Sequence, residues 1–152
     1  MRPSRDEMLM NIALEAAKRS TCSRASVGAV ISRDGRPISL GYNGAPAGLP
    51  HCTHECNCGA ELFPKPEHLN ICASVQPCLI SVHAEVNALA FAARHGVATD
   101  QAELHITFSP CLNCSMLIIN AGIIRVCWDQ SYRVSDGVDL MKNAGIDARM
   151  MV

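Results

Sequence analysis

From Val82 to the C-terminus, segments with helical periodicity alternate with short apolar strands. Residues 82 to 94, beginning Val82-His83-Ala84-Glu85, are rich in alanine, and Gly96 follows as a C-terminal cap. Leu104-His105-Ile106-Thr107-Phe108 alternates like a strand; Ser109 is placed to cap the next helix, Pro110 suits its first turn, and that helix runs to about Ala121-Gly122. A strand over Ile124 to Trp128, a short helix over Val138 to Asn143 and an edge strand near Ala148 to Val152 complete the alternation. Few architectures accept such a pattern other than helices packed on a sheet. Only 4% of the 152 residues are aromatic while 49% are hydrophobic, so the core must come from Ala, Val, Ile, Leu and Met. That length suits one domain over residues 1–152, and the class expected is α/β.

The N-terminal part adds a helix and a hairpin. Residues 8 to 20 carry apolar side chains at helical spacing, with Lys18 and Arg19 near the end where the helix dipole favours cations. Val27 to Ile31 and Ile38 to Tyr42 read as strands joined through Asp34-Gly35, a strong hairpin turn signal. Between Asn43 and about Ile80 no period holds, and eight glycines and prolines punctuate the segment. A loop this long is usually functional or tied down by something other than a core.

Charge and cysteine usage narrow the function. A formal charge of −1 provides no basic surplus for a long polyanion, so a small substrate is expected rather than nucleic acid. No apolar run approaches the roughly 20 residues that span a bilayer, and a soluble, cytoplasmic protein is expected. Nine cysteines do not pair evenly, and in a reducing compartment clustered cysteines more often bind metal.

Two fragments carry the chemistry: His83-Ala84-Glu85 and, 25 residues after Glu85, the run Pro110-Cys111-Leu112-Asn113-Cys114. His-x-Glu followed by Pro-Cys-x-x-Cys is the pattern of zinc deaminases that act on nucleobases. The physical reading agrees with it. Cys111 and Cys114, three residues apart at a helix start, face one side, and the helix dipole lowers thiol pKa toward the thiolate that zinc binds. With His83 they make three protein ligands, which leaves a fourth tetrahedral position for water, whose pKa zinc lowers from roughly 15.7 toward 7. Glu85 is then the proton carrier from that water to the base and on to the leaving amine. A lone Cys-x-x-Cys also serves redox sites, but such a site has no need of His83 or Glu85.

These residues resemble the deoxycytidylate deaminase family within the cytidine deaminase superfamily. The resemblance also runs through Val27-Gly28-Ala29-Val30-Ile31, the stretch from Gly41-Tyr42-Asn43-Gly44-Ala45-Pro46 to Cys52, and Ile118-Ile119-Asn120-Ala121-Gly122-Ile123. It implies a three-layer α/β/α fold with a five-stranded mixed sheet, a homohexamer, and conversion of dCMP to dUMP. It further implies activation by dCTP and inhibition by dTTP, with Mg2+ accompanying the triphosphate. By the same resemblance Asn43 contacts the deoxyribose, the alternative being an Asn tolerated in a turn beside Gly44. Arg24 is a candidate clamp for the 5′-phosphate or else a solvated arginine, and Tyr132 lies near the phosphate or covers the sheet edge. A second, structural Zn2+ is implied on Cys22, Cys52, Cys78 and either Cys58 or Cys56, with Cys72, His51, His54 and His68 also available, against buried or free thiols. Cys127 reads as a core residue and His105 has no assigned role. Competing readings are a deaminase of dCTP, of a modified dCMP or of tRNA adenosine, and a catalytically idle zinc-binding relative.

Overall fold

The computed structural model describes residues 1–22, 24–49, 51, 81–132 and 134–151. In chain order these form α1 (Arg5–Ala17), β1 (Gly28–Arg33), β2 (Arg36–Tyr42), α2 (Ala84–Arg94), β3 (Glu103–Phe108), α3 (Leu112–Asn120), β4 (Arg125–Gln130), α4 (Asp136–Asn143) and β5 (Asp147–Met150). Every element expected from periodicity is present. The five strands make one mixed sheet in the order β2-β1-β3-β4-β5, with β1 antiparallel to both β2 and β3, and β3, β4 and β5 mutually parallel.

The boundaries differ where capping decides them. Helix α1 starts a turn earlier than its apolar spacing suggests because Ser4 and Glu7 form a capping box: Ser4 Oγ accepts from the Glu7 N–H at 3.1 Å and Glu7 Oε2 from the Ser4 N–H at 2.6 Å. It ends at Ala17, so Lys18 is the C-cap and Arg19 lies beyond the helix. Ser109 does not cap α3. The cap position is Cys111, and Ser109 Oγ instead accepts from the Tyr132 N–H at 2.6 Å. The β1–β2 turn has φ of 53° at Asp34 and 72° at Gly35, the left-handed pair that a two-residue hairpin turn requires.

The sheet is buried on both faces. Leu9, Met10 and Ala13 of α1 cover Val30 on one side. Ala29, Ile31, Leu104, Ile106, Val126 and Trp128 point to the other side, where they meet α2, α3 and α4 through Ala84, Ala88, Ile118, Val138 and Met141. Neighbouring strand residues therefore face opposite layers, as the two-residue period demands. On the α1 side, the fully buried His105 lies with Nε2 3.1 Å from Asp6 Oδ1, and Arg125 bonds the other Asp6 oxygen and Glu103. Burial opposes the Asp6 charge, but the bonds from Arg125 and His105 prevail and hold its pKa below the usual value; burial pushes His105 below its own. No helix among the described residues is long and apolar enough to cross a membrane.

Candidate active site

The site forms where the N-termini of α2 and α3 meet. His83 is the N-cap of α2 and Glu85 lies in its first turn; Cys111 is the N-cap of α3 and Cys114 lies in its first turn. Helix α2 is pinned to β2 by two bonds, from Ser39 Oγ to the Ala88 carbonyl and from Asn87 Nδ2 to the Tyr42 carbonyl, each 2.7 Å. Gly41 permits the approach, because a Cβ there would come within 2.4 Å of both the Ala84 oxygen and the Ala88 nitrogen. Gly137 of α4 does the same for the cysteine loop, its missing Cβ falling 2.5 Å from the Pro110 carbonyl oxygen. Small residues thus bring two helix starts to one edge of the sheet.

His83 Nδ1 lies 3.3 Å from Cys114 Sγ and 3.6 Å from Cys111 Sγ. A tetrahedral zinc with bonds of about 2.3 Å to sulfur and about 2.0 to 2.1 Å to nitrogen separates such ligands by about 3.6 Å, so the donor set fits the ion. Without metal the cluster shares its protons unequally. Hydrogen bonds from Cys114 and His83 lower the Cys111 thiol to about 4; the Cys111 bond also raises His83, while Cys111 and burial push Cys114 up. Glu85 is only 4% exposed, and burial raises its carboxyl to about 7.

A second group of metal-ligand type, Asp6, His105 and Cys127, occupies the opposite face of the sheet. It differs in a decisive way. Both Asp6 oxygens are already engaged, by His105 and by the Arg125 guanidinium, so a cation there would meet an arginine already in place. Asp6 and Arg125, with Arg5 and Arg33, line a cavity of about 580 Å³ that contains none of the His83, Cys111 and Cys114 set.

Beside that set lies a cavity of about 200 Å³ whose wall includes His83, Glu85 and Cys111 together with Arg24, Asn43 and Tyr132. All three residues singled out for substrate contact therefore come to one place with Glu85. Asn43 arrives with its amide engaged: Oδ1 accepts from the Val27 N–H and Nδ2 donates to the Ala25 carbonyl, each at 2.8 Å. Cys22 is half-buried and its thiol is free among the described residues, whereas Cys52, Cys56, Cys58 and Cys78 lie outside them. The sequence reading missed two polar residues of the cavity wall, Ser81 and Ser109. Ser81 Oγ is buried without a partner among the described residues. Its place two residues before His83 was the available signal. Ser109 was legible only as a cap, because Tyr132 is 23 residues away.

The profile of the cytidine and deoxycytidylate deaminase zinc-binding region matches residues 3–129. The chain belongs to this family. It is 40% identical over 154 residues to the deoxycytidylate deaminase of Saccharomyces cerevisiae, a match that covers 98% of this chain and 45% of that protein. It thus spans less than half the length of the yeast relative. With the deoxycytidylate deaminase of Enterobacteria phage T2 it shares 32% identity over 165 residues, covering 91% of this chain and 88% of that one. Among solved structures, the dCMP deaminase of cyanophage S-TIM5 in complex with dCMP and dUMP superposes with a TM-score of 0.80 at 32% identity, over 99% of each chain. The family membership agrees with the His-Cys-Cys donor set, and the superposition with the five-stranded mixed sheet.

Proposed function

We propose that this chain, acting as one domain over residues 1–152, hydrolyses dCMP to dUMP and ammonia. The observation that carries this reading is the shared cavity: Glu85, His83 and Cys111 lie in the same wall as a cationic side chain, a buried amide and a phenol. The relatives named deoxycytidylate deaminases support it. So does the absence of a basic surplus for nucleic acid in a chain of net charge −1.

His83, Cys111 and Cys114 would hold the zinc. Bound there, the ion supplies Lewis acidity that brings the pKa of water from roughly 15.7 down to about 7. Glu85, with its carboxyl raised to about 7, can both accept and release a proton near neutral pH. It takes the proton of the attacking water and delivers it to N3 of the cytosine as the C4–O bond forms, then takes the remaining proton from the C4 hydroxyl and passes it to the amino group as the C4–N bond breaks and the C4 carbonyl forms. Water is consumed, ammonia leaves, and uracil remains. Arg24 presents paired donors to the 5′-phosphate and Tyr132 its hydroxyl, and Asn43 meets the deoxyribose with the donor and acceptor capacity its two tethers leave.

Arg24→Ala tests the substrate. Loss of activity on dCMP without a matching loss on deoxycytidine supports a nucleotide enzyme, whereas equal behaviour on both points to a nucleoside or base. The reading extends to a structural zinc on Cys22, Cys52, Cys58 and Cys78, to a homohexamer, and to dCTP or dTTP with Mg2+ as effectors. Metal analysis finding one zinc per chain that is lost with Cys111→Ala rejects the second ion, and a monomer in scattering rejects the hexamer.

A further inference from the structure

We infer that Asn43 and Ser109 are positioning residues that set selectivity for the 5′-phosphate, by tethering the two chain segments that carry Arg24 and Tyr132. The inference rests on the phosphate reading of those two side chains given above.

Arg24 and Tyr132 are exposed and lie outside helices and strands. A clamp built from such side chains loses affinity to the freedom it gives up on binding, unless its backbone is fixed beforehand. The structure fixes both. Asn43, 6% exposed, bonds the 21–27 segment with every polar group it has. Its carbonyl accepts from the Thr21 N–H at 3.2 Å and its N–H donates to the Val27 carbonyl at 3.1 Å. Its side chain adds the bonds to Val27 and Ala25, both 2.8 Å, on the far side of Arg24 from Thr21. Ser20 Oγ donates to the same Ala25 carbonyl at 3.3 Å.

The other arm is held in the same manner. Ser109 Oγ accepts from the Tyr132 N–H at 2.6 Å, and the Ser109 N–H donates to the Gln130 carbonyl at 2.8 Å, so the chain leaving β4 is bound at two points. Each tether is anchored next to a zinc ligand. Gly44, adjacent to Asn43, forms a two-bond bridge with Val82, the neighbour of His83, at 3.1 and 2.8 Å. Ser109 stands two residues before Cys111. The distance from the metal edge to the phosphate end is thereby set through uncharged side chains, which cannot themselves neutralise a phosphate.

The test is the ratio of kcat/KM on dCMP to kcat/KM on deoxycytidine, measured on zinc-loaded protein. Ser109→Ala removes the acceptor for Tyr132 and lowers that ratio about tenfold, with the loss on dCMP appearing in KM rather than kcat; Ser109→Thr, which keeps the hydroxyl, restores it. Asn43→Asp keeps the acceptor for Val27 but turns an oxygen toward the Ala25 carbonyl, and lowers the ratio likewise. Neither change lowers it further once the arm's own side chain is gone, in Tyr132→Ala or Arg24→Ala respectively. Equal losses on both substrates, or effects that multiply in the double variants, overturn the tethers. If Arg24→Ala and Tyr132→Ala leave the ratio at its parent value, the phosphate reading fails first and the tethers fall with it.

Discussion

Cys114 Sγ lies 3.3 Å from His83 Nδ1, although 31 residues and a complete β-strand separate them in sequence. The contact exists because α2 and α3 both start at the same edge of the sheet, where two helix dipoles favour thiolate. Removing either partner removes a candidate zinc ligand. Cys114→Ala is expected to carry no stoichiometric zinc at His83 and Cys111 and to release no ammonia from a cytosine nucleotide, as metal analysis and a turnover assay on the same preparation will show.

Glu85→Gln separates metal binding from proton transfer. It keeps the size of the side chain and, although Glu85 hydrogen-bonds with Cys114, removes none of the three candidate ligands. Zinc content at the site is therefore retained, while kcat falls by about 10² to 10⁴, the usual contribution of a positioned acid–base group. Loss of zinc in parallel with activity would instead make Glu85 part of the metal site.

Gly41→Ala tests how the sheet places the site. The new methyl group would enter the α2 backbone at Ala84 and Ala88, which cannot yield as a flexible side chain does. Destabilisation of at least about 2 kcal/mol is expected from overpacking, together with weaker zinc affinity, because α2 carries His83. Denaturation followed by chelator competition measures both.

Acid should weaken the fold from the other face of the sheet. Burial holds the folded-state pKa of His105 below its ordinary 6.5, and the bonds to Arg125 and His105 hold that of Asp6 below 3.8. In each case the unfolded chain binds the proton first. The His105 contribution is complete above pH 6.5 and is lost as pH falls toward its folded-state pKa, and that of Asp6 follows below 3.8. Each titrating proton contributes a slope of up to about 1.4 kcal/mol per pH unit. Urea midpoints of His105→Gln should vary less between pH 6.5 and 5 than those of the parent, and an unchanged slope would remove His105 from the account.

Local chemistry was legible in the sequence, and partnerships across long separations were not. The Asp34-Gly35 turn, the Gly96 cap and the paired helix-start motifs at His83 and Cys111 each depend on neighbours within a few residues, and each appears in the fold. Ser4-x-x-Glu7 is equally local; its capping box was there to be read and moves the start of α1 to Arg5. Ser109 misled because a serine before a helix is commonly a cap, whereas here a tertiary partner at Tyr132 claims its oxygen. His105 had no readable role because Asp6, its partner, is 99 residues away. Asn43 was marked for the cavity, where it lies, but its bonds to Ala25 and Val27 depend on how the hairpin folds back on the chain before it.

The most direct measurement is ammonia release by zinc-loaded protein supplied in turn with dCMP, CMP, deoxycytidine and dCTP. The account predicts turnover of dCMP above the other three, abolished when Cys114 is replaced by Ala. Zinc bound at the site with no release from dCMP, or a clear preference for deoxycytidine or dCTP, would contradict it.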